Sequence, residues 1–120
     1  MDDLKTKTTY DQAEELYQSA QEEYSRPEED VVPYSVCRGA YKAVNKYLTG
    51  YLMKNGMDVH ASMSLETLLS HCKEVNAEFH NLNLDLMYNT EDKENVFMDV
   101  KTVRRYLSLA DQTRQLVGDA

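Results

Sequence analysis

Tryptophan is absent from this chain, phenylalanine occurs twice, and there are two prolines, four glycines and two cysteines in 120 residues. So few prolines and glycines leave little punctuation for the tight turns that an all-β protein needs. Two cysteines cannot make a disulfide-dense scaffold, and no Cys-x-x-Cys pair suggests zinc or redox chemistry. Apolar runs span only a few residues, far short of the roughly 18 a membrane helix requires. The opening Met1-Asp2-Asp3-Leu4-Lys5 is acidic and carries no apolar segment, so no secretory signal and a bacterial-type cytoplasmic location are expected. Positive charge is also scarce: 13 basic against 21 acidic residues give a net charge of −8. Broad capture of nucleic acid depends on neutralising many phosphates, and the overall field of this chain opposes it.

What is present is helical periodicity. The length suits one domain over residues 1–120, large enough for a core without metal or disulfides. Helices are expected at roughly 9–25, 33–55, 63–75, 77–87 and 94–117. Together they make an all-α, four- to five-helix up-and-down bundle.

The first helix should follow Thr8-Thr9 as N-caps, and Ala13, Leu16, Tyr17, Ala20 and Tyr24 form its stripe. It should end before Arg26-Pro27. Pro33 suits the first turn of the second helix, and Gly56 is its left-handed stop. Ser62 and Ser64 are cap candidates for the third helix. Phe79, Leu82, Leu84, Leu86 and Met87 form an apolar cluster, helical or partly irregular, and Tyr88 to Glu94 reads as a polar loop. The last stripe is Val96, Val100, Val103, Leu107, Ala110 and Val117.

Gly39, Ala43 and Gly50 lie close to one side of the second helix. Each helical glycine costs about 1 kcal/mol relative to alanine, so a backbone is expected to approach there. That neighbour is the first helix or a second copy of the chain.

No catalytic constellation is legible. No Glu-x-x-His pair is available for a di-iron bundle. His60, His71, Cys72 and His80 lack metal-ligand spacing, and consecutive His71 and Cys72 diverge by about 100° on a helix. Cys37 and Cys72 read as reduced core thiols, with a bridge or a reactive site as the alternatives. The Glu14-Glu15, Glu22-Glu23 and Glu28-Glu29-Asp30 clusters read as solvated faces or a connector. No cofactor or metal is expected.

Two basic groups could hold a phosphate: Arg38, Lys42 and Lys46 on the second helix, and Lys101, Arg104 and Arg105 on the last. The plainer reading pairs Arg38 and Lys42 with glutamates of the first helix. Tyr34, Tyr41, Tyr47 and Tyr51 suit either core and rim packing or a ligand or dimer surface.

The run Ser35-Val36-Cys37-Arg38-Gly39-Ala40-Tyr41-Lys42-Ala43-Val44, continuing to Tyr51-Leu52-Met53-Lys54-Asn55-Gly56, resembles the second helix of HEPN domains. Ser64-Leu65-Glu66-Thr67-Leu68-Leu69 resembles the start of their next helix, and Phe79, Tyr88-Asn89 and the long last helix follow in order. The resemblance covers roughly residues 8–117. It implies a HEPN-like bundle, often a homodimer, associated with nucleotides or RNA. Catalytic members carry Arg-x4-6-His near the last helix, whereas Arg104 and Arg105 here have no histidine after them. The resemblance therefore implies a non-catalytic binding module for a nucleotide or a nucleotidyltransferase-type partner, with Arg38, Tyr41, Lys42, Lys101, Arg104 and Arg105 as candidate ligand residues. The alternatives are a protein-interaction module without a small ligand and a degenerate metal-independent ribonuclease.

Overall fold

A computed structural model describes residues 2–60, 62–88 and 100–119. Among them lie four α-helices and no strand: α1 (Asp2–Tyr24), α2 (Pro33–Lys54), α3 (Leu65–Val75) and α4 (Val100–Asp119). The all-α bundle expected from periodicity is the fold. Among the described residues, no helix is long and apolar enough to cross a membrane.

α1 starts seven residues before the expected boundary. Thr8 and Thr9 are therefore not caps but interior positions, and their hydroxyls donate back to the carbonyls of Leu4 and Lys5, each at 2.9 Å. This i to i−4 bond satisfies a threonine hydroxyl within a helix. Thr6 and Thr9 are both buried and continue the stripe of Ala13, Tyr17 and Ala20 toward the N-terminus. The helix ends as expected just ahead of Arg26-Pro27, with Ser25 N–H still bonded to the Gln21 carbonyl at 3.0 Å.

α2 opens on Pro33, whose missing N–H costs nothing in a first turn. At its other end Gly56 stands at φ +84°. Its N–H bonds the Met53 carbonyl and the Met57 N–H bonds the Leu52 carbonyl, both at 3.0 Å. That pair is the six-to-one, five-to-two closure of a Schellman turn, and it folds Met57 back against the helix end.

α1 and α2 pack antiparallel, with Ala20 beside Gly39, Glu14 beside Tyr47 and Thr9 beside Met53. A Cβ at Gly39 would stand 3.3 Å from the Ala20 Cβ, and one at Gly50 only 2.8 Å from the Tyr10 ring. The small side of α2 is thus filled by the first helix. α4 also runs against α1, because Glu14, Tyr17 and Tyr24 meet Arg114, Asp111 and Arg104 respectively. α2 is the centre of the core, burying Val36, Cys37, Ala40, Val44, Leu48 and Leu52 among others.

α3 is capped by Ser64, whose Oγ accepts from the Thr67 N–H at 3.1 Å; Ser62 makes no such cap. Beyond it the expected helix at 77–87 is two 3₁₀ turns, Ala77–Asn81 and Asp85–Met87. Asparagines divert the backbone here: Asn76 Oδ1 accepts from the Glu78 N–H at 3.0 Å and Asn83 Oδ1 from the Asp85 N–H at 2.9 Å. Such local side-chain bonds compete with helical ones. Phe79, Leu82, Leu84 and Met87 are still buried, so the apolar cluster is core without being a helix. In α4, Val103, Leu107, Ala110 and Val117 are buried as the stripe predicts, while Val100 is exposed. Val96, residues 89–94 of the expected loop and residues 94–99 of the expected last helix lie outside the described residues.

Candidate functional site

The polar side of α2 presents Tyr41, Lys42, Asn45, Lys46, Thr49 and Met53, which share one face because they recur at helical spacing. After the Gly56 turn, the chain returns alongside this face and closes two adjoining grooves. The first, of about 680 Å³, is lined by Tyr41, Lys42, Asn45, Lys46, Glu66 and Tyr88, with Ser62 and Ser64 on its loop side. The second, of about 540 Å³, lies toward the end of α2 and takes Lys5 and Thr9 from α1, Met53 from α2, Met57 from the turn, and Asp58 and His60 from the loop. Asn45, Lys46 and Met63 belong to both.

Three lysines and two carboxylates line the pair of grooves. The local balance is positive in a chain whose overall charge is −8. Tyr88 is partly buried, and its phenol is pushed above its usual range by burial first, then by the carboxylates of Asp85 and Glu66. It therefore serves this groove as a neutral ring and a hydroxyl donor.

Tyr41 and Lys42, two of the expected ligand residues, fall in the first groove with Lys46. The other four do not join them. Arg38 Nη1 donates to the Tyr34 hydroxyl at 3.2 Å, so its partner is a tyrosine rather than a glutamate of the first helix. Arg104 Nε donates to the Tyr24 hydroxyl at 2.9 Å in a shallow depression between α1 and α4. Arg105 lines a separate depression with Asn83 and Leu86, and Lys101 is exposed. Adjacent residues diverge by about 100° on a helix, which separates Arg104 from Arg105.

Asn45, Tyr88, Lys5 and His60 are the groove residues that periodicity did not single out. Asn45 could have been found, since it repeats Tyr41 one turn later and adjoins Lys46, which the basic group on the second helix already contained. Lys5, His60 and Tyr88 come from other elements and carry no local signal.

A second polar cluster joins three helices. Glu14 Oε1 accepts from the Tyr47 hydroxyl at 2.7 Å and from Arg114 Nε at 2.8 Å. Arg114 also lies over the Tyr17 ring, 5.3 Å from its centroid. The Tyr17 hydroxyl donates to Asp111 Oδ1 at 3.3 Å and accepts from Gln21 Nε2 at 2.7 Å. Glu14 is thus part-exposed yet bonded to two other helices, which the reading of a solvated face did not anticipate. Burial first, and the Glu14 carboxylate second, push the Tyr47 phenol strongly upward. Every group in the cluster already has a partner, which suits a clamp between helices better than a reactive centre.

The remaining reactive side chains are separated. Cys37 and Cys72 are free and buried, and burial pushes both thiols up to about 12. His71 faces Glu74 at 3.1 Å and not Cys72. Among the described residues, no three His, Cys, Asp or Glu side chains come together as a metal site.

No protein-family model matches the chain, and no match is found among curated proteins or solved structures. The HEPN resemblance therefore rests on the sequence motifs quoted above.

Proposed function

We propose that the chain is a non-catalytic helical binding module whose groove along α2 takes a nucleotide. The observation that carries this reading is the convergence of Lys42, Lys46, Tyr41 and Tyr88 on one groove of about 680 Å³. That volume lies within the range of small-molecule sites. The lysine ammonium groups serve the phosphates as point charges, and the tyrosine rings offer faces on which a base can stack. Asn45 adds an amide that can donate or accept at the base edge.

The nucleotidyltransferase-type partner and the homodimer belong to this reading through the family resemblance alone. Gly39 and Gly50, on the side of α2 that a second copy of the chain was one candidate to fill, are covered by Ala20 and Tyr10 of the same chain.

Thermal unfolding in the presence of ATP and GTP, with and without magnesium, tests the reading. A ligand at about 100 times its Kd adds roughly 2.7 kcal/mol of stability. The expected result is a selective rise in midpoint that Lys42→Ala and Lys46→Ala each reduce. No rise at millimolar nucleotide would sink it, and protein partners would then be sought instead.

A further inference from the structure

The two grooves along α2 are halves of one trough, because Asn45, Lys46 and Met63 wall both of them. Their ends differ in chemistry. One is aromatic, with Tyr41 and Tyr88; the other is thioether-lined, with Met53 and Met57 beside His60. Aromatic faces stack on a base, and methionine sulfur makes favourable contacts with aromatic rings. Each end therefore suits a flat heteroaromatic group. The lysines are placed between and beside them: Lys46 at the shared wall, Lys42 toward the aromatic end and Lys5 toward the methionine end. Met53 lies eleven residue steps along the helix from Lys42, a rise of about 16 Å. A mononucleotide would occupy only one end of a trough that long.

We propose that the physiological ligand is a dinucleotide, two nucleosides joined through a phosphate bridge, with the bridge on Lys46 and one base in each groove. The proposal rests on the nucleotide reading and adds the second base site. By formal count each groove has one carboxylate and one lysine of its own, Asp58 with Lys5 and Glu66 with Lys42, which leaves the shared Lys46 as the excess positive charge. Once one end is docked, capture of the other becomes intramolecular, and affinity rises without any new kind of contact.

The test compares diadenosine tetraphosphate with adenosine 5′-tetraphosphate by isothermal titration calorimetry on the full chain. The two probes share a phosphate chain and differ in the second nucleoside. Diadenosine tetraphosphate is expected to bind one per chain, about tenfold or more tighter than the single-ended probe. Met57→Glu and, independently, Lys5→Ala should erase most of that advantage while leaving the single-ended affinity in place. Lys5 is exposed on α1, so its variant carries little folding risk. Lys46→Ala should weaken both probes. Equal affinity for the two probes, two diadenosine tetraphosphate molecules per chain, or an advantage that survives Met57→Glu and Lys5→Ala would overturn the dinucleotide proposal while leaving the nucleotide reading standing. Binding by neither probe would overturn both.

Discussion

The Tyr47 hydroxyl of α2 donates to the Glu14 carboxylate of α1 at 2.7 Å, and Arg114 of α4 approaches the same oxygen at 2.8 Å. Tyr47 is almost wholly buried, whereas the Glu14 and Arg114 side chains are 42% and 40% exposed. The hydroxyl bond and the ion pair therefore differ in worth. An exposed pair contributes at most about 1 kcal/mol, while a buried hydroxyl left without an acceptor costs about 1–3 kcal/mol.

Glu14→Ala is thus expected to destabilise by about 1–3 kcal/mol. Glu14→Gln, which keeps an oxygen for Tyr47 and gives up only the charge facing Arg114, should cost under about 1 kcal/mol. Urea unfolding midpoints of the two variants decide it. A Gln variant as damaged as the Ala variant would mean that the ion pair, not the hydroxyl bond, clamps the helices.

The Tyr10 hydroxyl is buried and has no hydrogen-bond partner among the described residues. Removing an unsatisfied buried polar group relieves a desolvation cost. Tyr10→Phe should therefore leave stability unchanged or raise it by up to about 1–2 kcal/mol, read from the denaturation midpoint.

Gly50 touches the same ring. Gly50→Ala places a Cβ 2.8 Å from Tyr10 Cε1 and should destabilise by about 1–3 kcal/mol despite alanine's better helix propensity. The loss should be smaller in a Tyr10→Ala background, with a coupling above about 0.5 kcal/mol in a double-mutant cycle. Additive losses would place the strain elsewhere.

Burial raises the Cys37 and Cys72 thiols from the usual 9.0 to about 12, and the Tyr10 phenol from 10.0 to about 12. These groups stay protonated in the folded chain over a range where the unfolded chain loses its protons. Their contribution is complete below pH 9 and is lost as pH climbs toward about 12, so stability should fall progressively across that window. A thiol reagent at pH 8 should label neither cysteine of the folded chain and both after unfolding. Rapid labelling in native buffer would contradict the burial.

Arg38 and Arg104 are held by Tyr34 and Tyr24 away from the trough. Arg38→Ala and Arg104→Ala should leave any nucleotide-induced rise in unfolding midpoint intact, in contrast to Lys46→Ala. A loss of the effect in either arginine variant would relocate the site to that arginine.

The helical class, the α1 stop before Arg26-Pro27, the Gly56 turn and the Ser64 cap were legible in the sequence. The class follows from periodicity along whole helices, and the other three are decided by residues within one turn of the feature itself, through φ preferences and local hydrogen bonds. The first turns of α1 were hidden because Thr6 and Thr9 occupy stripe positions that a hydrophobic pattern does not count. The asparagines at 76 and 83 bend a segment whose apolar content alone suggests a helix.

Proximity between distant parts of the chain had no such local signature. That Gly50 receives Tyr10, that Glu14 joins Tyr47 to Arg114, and that Lys5, Lys46, Met57 and Tyr88 line adjoining grooves depends on how the helices cross and on the path of the loop after Gly56. Sequence periodicity specifies which face of a helix is apolar. Which basic residues share a groove is set by long-range packing, and only the tertiary structure separated Lys42 and Lys46 from the arginines that accompanied them in the sequence.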